Sequence, residues 1–101
     1  MKKLALAAAA LAALSFAGAA SANADLAKAK NCMACHAIDK KVVGPAFHDV
    51  AAKYKGQKGV DATLAAKIIK GGSGVWGAMA MPPNAVSESE ALALAKWVLA
   101  Q

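Results

Sequence analysis

Two cysteines and a histidine stand together at residues 32–36, in the order Cys-Met-Ala-Cys-His. The spacing C-x-x-C-H is typical of covalent haem attachment, in which each thiol adds to one vinyl group of the same porphyrin. A histidine directly after the second cysteine then supplies the proximal imidazole nitrogen to the iron. The pattern predicts one haem c per chain, bound covalently through Cys32 and Cys35, with His36 as an axial ligand.

Three other kinds of site use the same residue types. A redox-active cysteine pair of the thioredoxin kind belongs to a βαβ unit, and this chain has no convincing strand pattern. A zinc site would take Cys32, Cys35 and His36 with His48 as the fourth ligand, although neighbouring ligands are awkward around one ion. A simple disulfide is the third possibility. Haem attachment is favoured because it also adds apolar mass to a short, alanine-rich chain.

The second axial ligand separates an electron carrier from a peroxidase-like enzyme or a gas sensor with an open iron. The candidates beyond the motif are His48, Met79 and Met81. His48 is predicted to be exposed, because the spacing puts it on the helix face opposite Phe47 and Val50. Met81 is favoured because two prolines follow it and restrict its backbone, while Met79 stays an alternative.

The first residues have the composition of a secretion signal. Lys2 and Lys3 precede an apolar stretch at residues 4–20, and Ala22-Asn23-Ala24 is a small-x-small cleavage site. We therefore expect a cleaved signal peptide at residues 1–24, a single domain at residues 25–101 and a periplasmic destination. An uncleaved membrane anchor is the alternative, although the apolar stretch is at the short limit for crossing a bilayer.

All of the positive charge comes from lysine, since the chain has no arginine. The formal net charge of +6 falls to +4 without Lys2 and Lys3. Specific readers of nucleic acids commonly use arginine for bidentate contacts to guanine, and no nucleic-acid motif is present. We expect no nucleic-acid partner and no stable membrane insertion after processing. As a set, the lysines would steer the protein toward an acidic partner, at rates that fall as salt rises.

Hydrophobic spacing predicts short helices joined by loops. The predicted helices cover residues 25–31, 46–55, 62–70 and 91–100. Asp61 is the predicted N-cap of the third helix, and Ser87 with Glu90 forms a capping box before the last one. The loop at residues 71–86 is long for so small a domain, which indicates a function. The fold class is therefore all-α, with three to five short helices.

Five segments together resemble the small bacterial class I cytochromes c, those of the cytochrome c-551 type. These are Cys32-Met33-Ala34-Cys35-His36, Val43-Gly44-Pro45-Ala46, Gly74-Val75-Trp76-Gly77, Met81-Pro82-Pro83-Asn84 and Ala95-Lys96-Trp97-Val98. The attachment motif is shared by many haem proteins, but its combination with Met-Pro-Pro-Asn at this spacing is much more specific. The resemblance implies an all-α fold wrapped around one haem c, and a periplasmic, monomeric carrier of single electrons rather than an enzyme.

The resemblance also implies a role for each matching residue. His36 corresponds to the proximal ligand and Met81 to the distal ligand. Pro45 corresponds to the proline whose carbonyl accepts a hydrogen bond from the other nitrogen of the proximal histidine. Trp76 corresponds to the indole that donates to a haem propionate. Asn84 corresponds to the amide near the axial sulfur.

Two positions depart from the family pattern. Lys67 stands where the family often has arginine near a propionate, and lysine has no fork for a bidentate contact. Met79 stands where an apolar residue that does not bind the iron is usual. The implied partners are a cytochrome bc-type donor and a nitrite reductase, terminal oxidase or peroxidase acceptor in a respiratory chain. They would dock on a patch around the haem edge formed by Ala34, Val42, Val43, Met79, Pro82 and Pro83.

Overall fold

The structure, a computed structural model, describes residues 21–101. Its helices are residues 21–29 (α1), Phe47–Lys53 (α2), Val60–Lys70 (α3) and Glu88–Leu99 (α4), with a 3-10 turn at Cys32–Ala34 after α1. In this part of the chain, β pairing is limited to two isolated bridges, His36 with Lys41 and Gly72 with Met81. The predicted all-α fold is confirmed.

The predicted signal peptide, residues 1–24, lies mostly outside the described residues. Its cleavage and the domain boundary therefore stay predictions. Helix α1 includes residues 21–24 and runs across the predicted cleavage point. None of the helices within residues 21–101 combines the length and the apolarity needed to cross a bilayer.

Helix α4 is the element against which both α2 and α3 pack. Toward α3 it buries Ala91 and Ala95, both 0% exposed, against Ala65. Helix separation depends on the side chains at the contact, so three alanines let the two helices approach closely. The alanines thus allow close packing of α3 against α4.

A second cluster joins α2 to α4 through Phe47, Val50 and Val98. Trp97 packs edge-on against Phe47 with the ring centroids 5.4 Å apart. No large side chain in the described part of the chain is less than 2% exposed. A domain this small buries little apolar surface from its own residues.

The prediction of Asp61 as the N-cap of α3 is wrong. The cap is Gly59, at φ 75°, and the helix begins at Val60. Glycine enters this left-handed conformation without steric cost, which lets the helix begin earlier than the side-chain pattern indicates. Asp61 lies in the first turn instead, where its carboxylate accepts from the Ala62 N–H at 2.9 Å and interacts favourably with the helix dipole.

The other three helices also differ from their predicted bounds at the ends, and α4 occupies Glu88–Leu99 instead of residues 91–100. Helix α2 is shorter than predicted and occupies only Phe47–Lys53, and α1 stops before Asn31, which takes a left-handed conformation at φ 62°. The loop at residues 71–86 is confirmed apart from the bridge between Gly72 and Met81.

The predicted capping box is present, and α4 begins at Glu88, directly after its N-cap Ser87. The Ser87 hydroxyl accepts from the Glu90 N–H at 3.1 Å, and the Glu90 carboxylate accepts from the Ser87 N–H at 2.9 Å. The hydrogen bond from Ser87 lowers the pKa of Glu90, with a smaller contribution from Lys30. The carboxylate therefore stabilises α4 at pH values above its unfolded pKa, and this contribution is lost as the pH falls through the lower folded pKa.

Replacing Ser87 with alanine should lower the free energy of unfolding by about 1 kcal/mol, because the Glu90 N–H loses its acceptor. Denaturant titration followed by circular dichroism measures the change. Ser89→Ala is the matched control, since the Ser89 hydroxyl contacts only the Ser87 hydroxyl among the bonds of this turn. Equal losses of stability in the two variants would contradict the capping role.

Candidate functional site

The Cys-Met-Ala-Cys-His motif forms a tight turn at the end of α1. Asn31, at φ 62°, directs the chain into the turn, and asparagine is among the few residues that tolerate this conformation. The N–H groups of Cys35 and His36 both donate to the Cys32 carbonyl, at 3.2 and 3.0 Å. Both thiols are free and half-buried in this one turn, so they can react with the same ligand.

Burial raises the pKa of the Cys32 thiol. This shift moves the pKa of the thiol further away from neutral pH. Cysteines that carry out thiol–disulfide exchange usually have a lowered pKa, because the thiolate is the attacking species. The environment of Cys32 therefore disfavours the interpretation of the motif as a thiol redox centre.

The orientation of the His36 ring is set by one hydrogen bond and one stacking contact. Its Nδ1 lies 2.7 Å from the Pro45 carbonyl oxygen. A carbonyl can only accept, so Nδ1 carries the proton and Nε2 keeps a free lone pair in the neutral ring. The Phe47 ring stacks on the imidazole with centroids 4.9 Å apart and an angle of 22° between the planes. His36, only 9% exposed, is thus held ready to bind a metal through Nε2.

Gly44 provides the room that the His36 ring needs. A Cβ at position 44 would lie 2.6 Å from His36 Cε1, closer than such atoms approach in proteins. The Gly44 N–H donates to the Cys35 carbonyl at 2.7 Å, so this backbone cannot easily move away. The segment before Pro45 therefore packs directly against the imidazole, and glycine is required there.

Met81 is held by backbone contacts to the end of α3. Its N–H donates to the Gly72 carbonyl at 2.8 Å, and its carbonyl accepts from the Gly72 N–H at 3.0 Å. A Cβ on Gly71 would clash with the Met81 carbonyl and lie 3.0 Å from atoms of Pro82 and Pro83. Gly71 also has φ 75°, which favours glycine. The fold therefore fixes the backbone that carries the Met81 thioether.

Asn84 anchors the same segment from the other side. Its Nδ2 donates to the Ile68 carbonyl at 2.9 Å and to the Pro82 carbonyl at 3.2 Å. Its backbone N–H also donates to Ile68, at 3.2 Å. Asn84 does not line the cavity described next, so the observed geometry gives the amide a role in holding the loop. The expected position near the axial sulfur stays a prediction.

One cavity of about 270 Å³ brings the predicted residues together. Its walls include six of the seven predicted site residues: Cys32, Cys35, His36, Pro45, Trp76 and Met81. Met79 and Lys67 also line it, whereas His48 does not. The remaining walls are mostly apolar, with contributions from Ala27, Val43, Phe47, Val50, Leu64, Ile68, Leu94 and Val98.

A contact that the sequence did not reveal joins Lys53 to the rim of the cavity. Its Nζ lies 5.6 Å from the centroid of the Trp76 ring and 5.9 Å from that of Tyr54, within the range of cation–π attraction. Trp76 and Tyr54 both line the cavity. Lys53 and Trp76 are far apart in sequence and belong to different elements, so no local pattern could indicate their contact.

The alternative sites have little support in this geometry. Within residues 21–101, no three or more histidine, cysteine or acidic residues are grouped closely enough to hold a metal ion. His48 is exposed on α2, as predicted. The helical fold contains no βαβ unit in its described part. The donor set instead fits haem c: two free thiols in one turn, an imidazole with Nε2 free, a thioether from a separate segment and apolar walls.

Comparison with known proteins points the same way. The family model for cytochrome c matches residues 20–101. Cytochrome c-551 of Pseudomonas aeruginosa is 63% identical over 76 residues, which are 75% of this chain and 73% of that protein. Cytochrome c-552 of Hydrogenobacter thermophilus is 52% identical over 99 residues, covering 98% of this chain and 97% of the relative.

A solved structure shares the fold as well. Wild-type cytochrome c552 of Nitrosomonas europaea superposes with a TM-score of 0.74 at 55% identity, covering 76% of this chain and 96% of that one. Family membership carries with it a covalently bound haem c and supports a monohaem electron carrier. The site geometry and the similarity to known cytochromes c agree. This chain belongs to the class I c-type cytochromes.

Proposed function

We propose that the chain is a periplasmic electron carrier, not an enzyme, in which His36 and Met81 are the axial ligands of one haem c. The observation that carries the proposal is that these two side chains, held by separate segments, line the same cavity as both cysteines. Bound haem c supplies an iron that gains and loses one electron. The signal peptide proposed at residues 1–24 would deliver the chain to the compartment in which its partners are found.

His36 and Met81 are suited to a site that changes little between oxidation states. The bond from Nδ1 to Pro45 fixes the ring orientation and increases the basicity of Nε2, as outer hydrogen bonds do for metal-bound histidines. The two backbone bonds to Gly72 hold Met81. Ligands that the fold already holds need little rearrangement, which lowers the barrier to electron transfer.

Trp76 and Lys67 contribute polar groups to the cavity wall, and Lys53 lies beside Trp76 at the rim. Trp76 and Lys67 line the cavity, and the Lys53 ammonium lies beside the Trp76 ring. An indole N–H and ammonium groups are suitable partners for a carboxylate. We assign this part of the wall to the haem propionates, with Lys53 adding positive charge beside the Trp76 ring.

The docking surface is the exposed apolar rim of this cavity. Val43, Val75, Trp76 and Met79 line the cavity and are exposed, and Val42 adjoins them in the chain. The occupant that we propose is an acidic redox protein, because the chain carries a net positive charge composed entirely of lysine. A cytochrome bc-type donor and a nitrite reductase, terminal oxidase or peroxidase acceptor meet this description. Such encounters are small and transient, which suits a monomer that serves two partners.

Replacing Met81 with alanine should abolish the weak far-red absorption band of the ferric protein, because this band reports an iron–methionine bond. The absorption spectrum of the purified holoprotein measures it. Met79→Ala is the matched control and should retain the band. A band that persists in Met81→Ala and disappears in Met79→Ala would reverse the ligand assignment.

Replacing Gly44 with alanine should lower the free energy of unfolding of the holoprotein by about 1–3 kcal/mol, since the new methyl group overpacks against His36. Denaturant titration followed by the haem absorption measures this loss. Equal stability of Gly44→Ala and the wild type would contradict the packing of position 44 against the imidazole.

Electron transfer from a cytochrome bc-type donor should slow as ionic strength rises, because salt screens the attraction between the lysines and an acidic partner. Stopped-flow reduction at increasing salt concentration measures the rate. Reduction by an uncharged hydroquinone is the control and should change little. A rate with the protein donor that is independent of salt would rule out steering by the lysines.

A further inference from the structure

The three methionines of the described residues differ sharply in exposure. Met33 packs against the cluster of Phe47, Val50 and Val98. Met81 is half-buried in the cavity wall. Met79 is 72% exposed, the highest value among the exposed large apolar residues. A flexible thioether is well suited to packing, but Met79 belongs to neither core cluster.

The surroundings of Met79 leave its sulfur open to small reagents. Its neighbours in the chain are Ala78 and Ala80, whose side chains are too short to cover it, and residues 72–80 are all exposed. Met81, two residues further along the chain, has its backbone paired with Gly72. The exposed thioether and the axial thioether thus differ in access although both line the same cavity.

Hydrogen peroxide is the small oxidant that suits such a sulfur. The sulfur lone pair attacks one peroxide oxygen, the O–O bond breaks and an S–O bond forms. A proton moves to the departing oxygen, which leaves as water, so the sulfur loses two electrons and the peroxide gains them. The product, methionine sulfoxide, is polar and chiral, and its formation disrupts methionine-rich interfaces.

We propose that Met79 is an oxidation site, and that its sulfoxide weakens electron exchange by making the apolar rim polar. Met79 lies on the rim formed with Val75 and Trp76. A partner that covers this rim would bury the sulfoxide oxygen, and burial of a polar group without a hydrogen bond is unfavourable. The effect on exchange rests on the proposed function, whereas the selectivity of the oxidation rests only on the exposure of the three methionines.

The first experiment treats the ferric holoprotein with limiting hydrogen peroxide and locates the added oxygen by peptide mass mapping. One oxygen atom should appear on Met79 before any appears on Met33 or Met81, and the far-red band should remain. Oxidation of Met81 or Met33 to the same extent would overturn the site assignment. A preparation that binds no haem would instead defeat the proposed function, so the two failures are distinguishable.

The second experiment measures electron self-exchange between ferrous and ferric copies by the broadening of haem proton resonances in NMR spectra. The probe is a second copy of this chain, which presents the same rim. The exchange rate should fall by about tenfold after oxidation, the order expected for a polar group buried without a partner. In Met79→Leu, which conserves the side-chain volume, the rate measured after peroxide treatment should equal the rate of the same variant before treatment. An unchanged rate in the oxidised wild type, or an equal loss in Met79→Leu, would overturn the proposed effect on exchange.

Discussion

The site depends on the hydrogen bond between the His36 Nδ1 proton and the Pro45 carbonyl. This bond, 2.7 Å long, decides which ring nitrogen carries the proton and therefore which one is free to bind a metal. It also ties the attachment turn to the segment that leads into α2. The Phe47 ring and the Gly44 backbone then hold the imidazole, so the protein's own groups set both the tautomer and the orientation of the ring.

The cavity wall that carries Met81 is held by backbone contacts rather than by side-chain packing. The paired amides of Gly72 and Met81 join the end of α3 to the loop. Asn84 adds a second attachment through Ile68. Because Gly71 has no side chain, the loop can lie against the end of the helix. A small domain with a thin core thus obtains a defined cavity wall from hydrogen bonds, and the apolar interior is left for haem c to complete.

The features that the sequence predicts well are those whose causes are local. The capping box of Ser87 and Glu90 is correct because both partners lie within one helical turn. The two thiols share one turn because only two residues separate them in the sequence. The prediction of where α3 starts is wrong, because the helix is capped by the left-handed backbone of Gly59 and not by the Asp61 side chain.

Contacts between segments that are distant in the sequence could not be predicted from the sequence. Asn84 meets Ile68 and Lys53 meets Trp76 only after the chain folds. The need for glycine at positions 44 and 71 likewise depends on atoms that are remote in sequence, namely the His36 ring and the Met81 carbonyl. Family resemblance identifies Trp76 and Asn84 as important, but only the packed chain reveals which groups they contact.

The covalent union of porphyrin and polypeptide at Cys32 and Cys35 is the claim on which the account rests. Intact mass spectrometry under denaturing conditions tests it most directly, on protein matured in a periplasm that contains haem-attachment machinery. The account predicts a single species with the mass of residues 25–101 plus one haem, because thioether bonds survive denaturation. A mass equal to the polypeptide alone, with the haem released into solution, would contradict it.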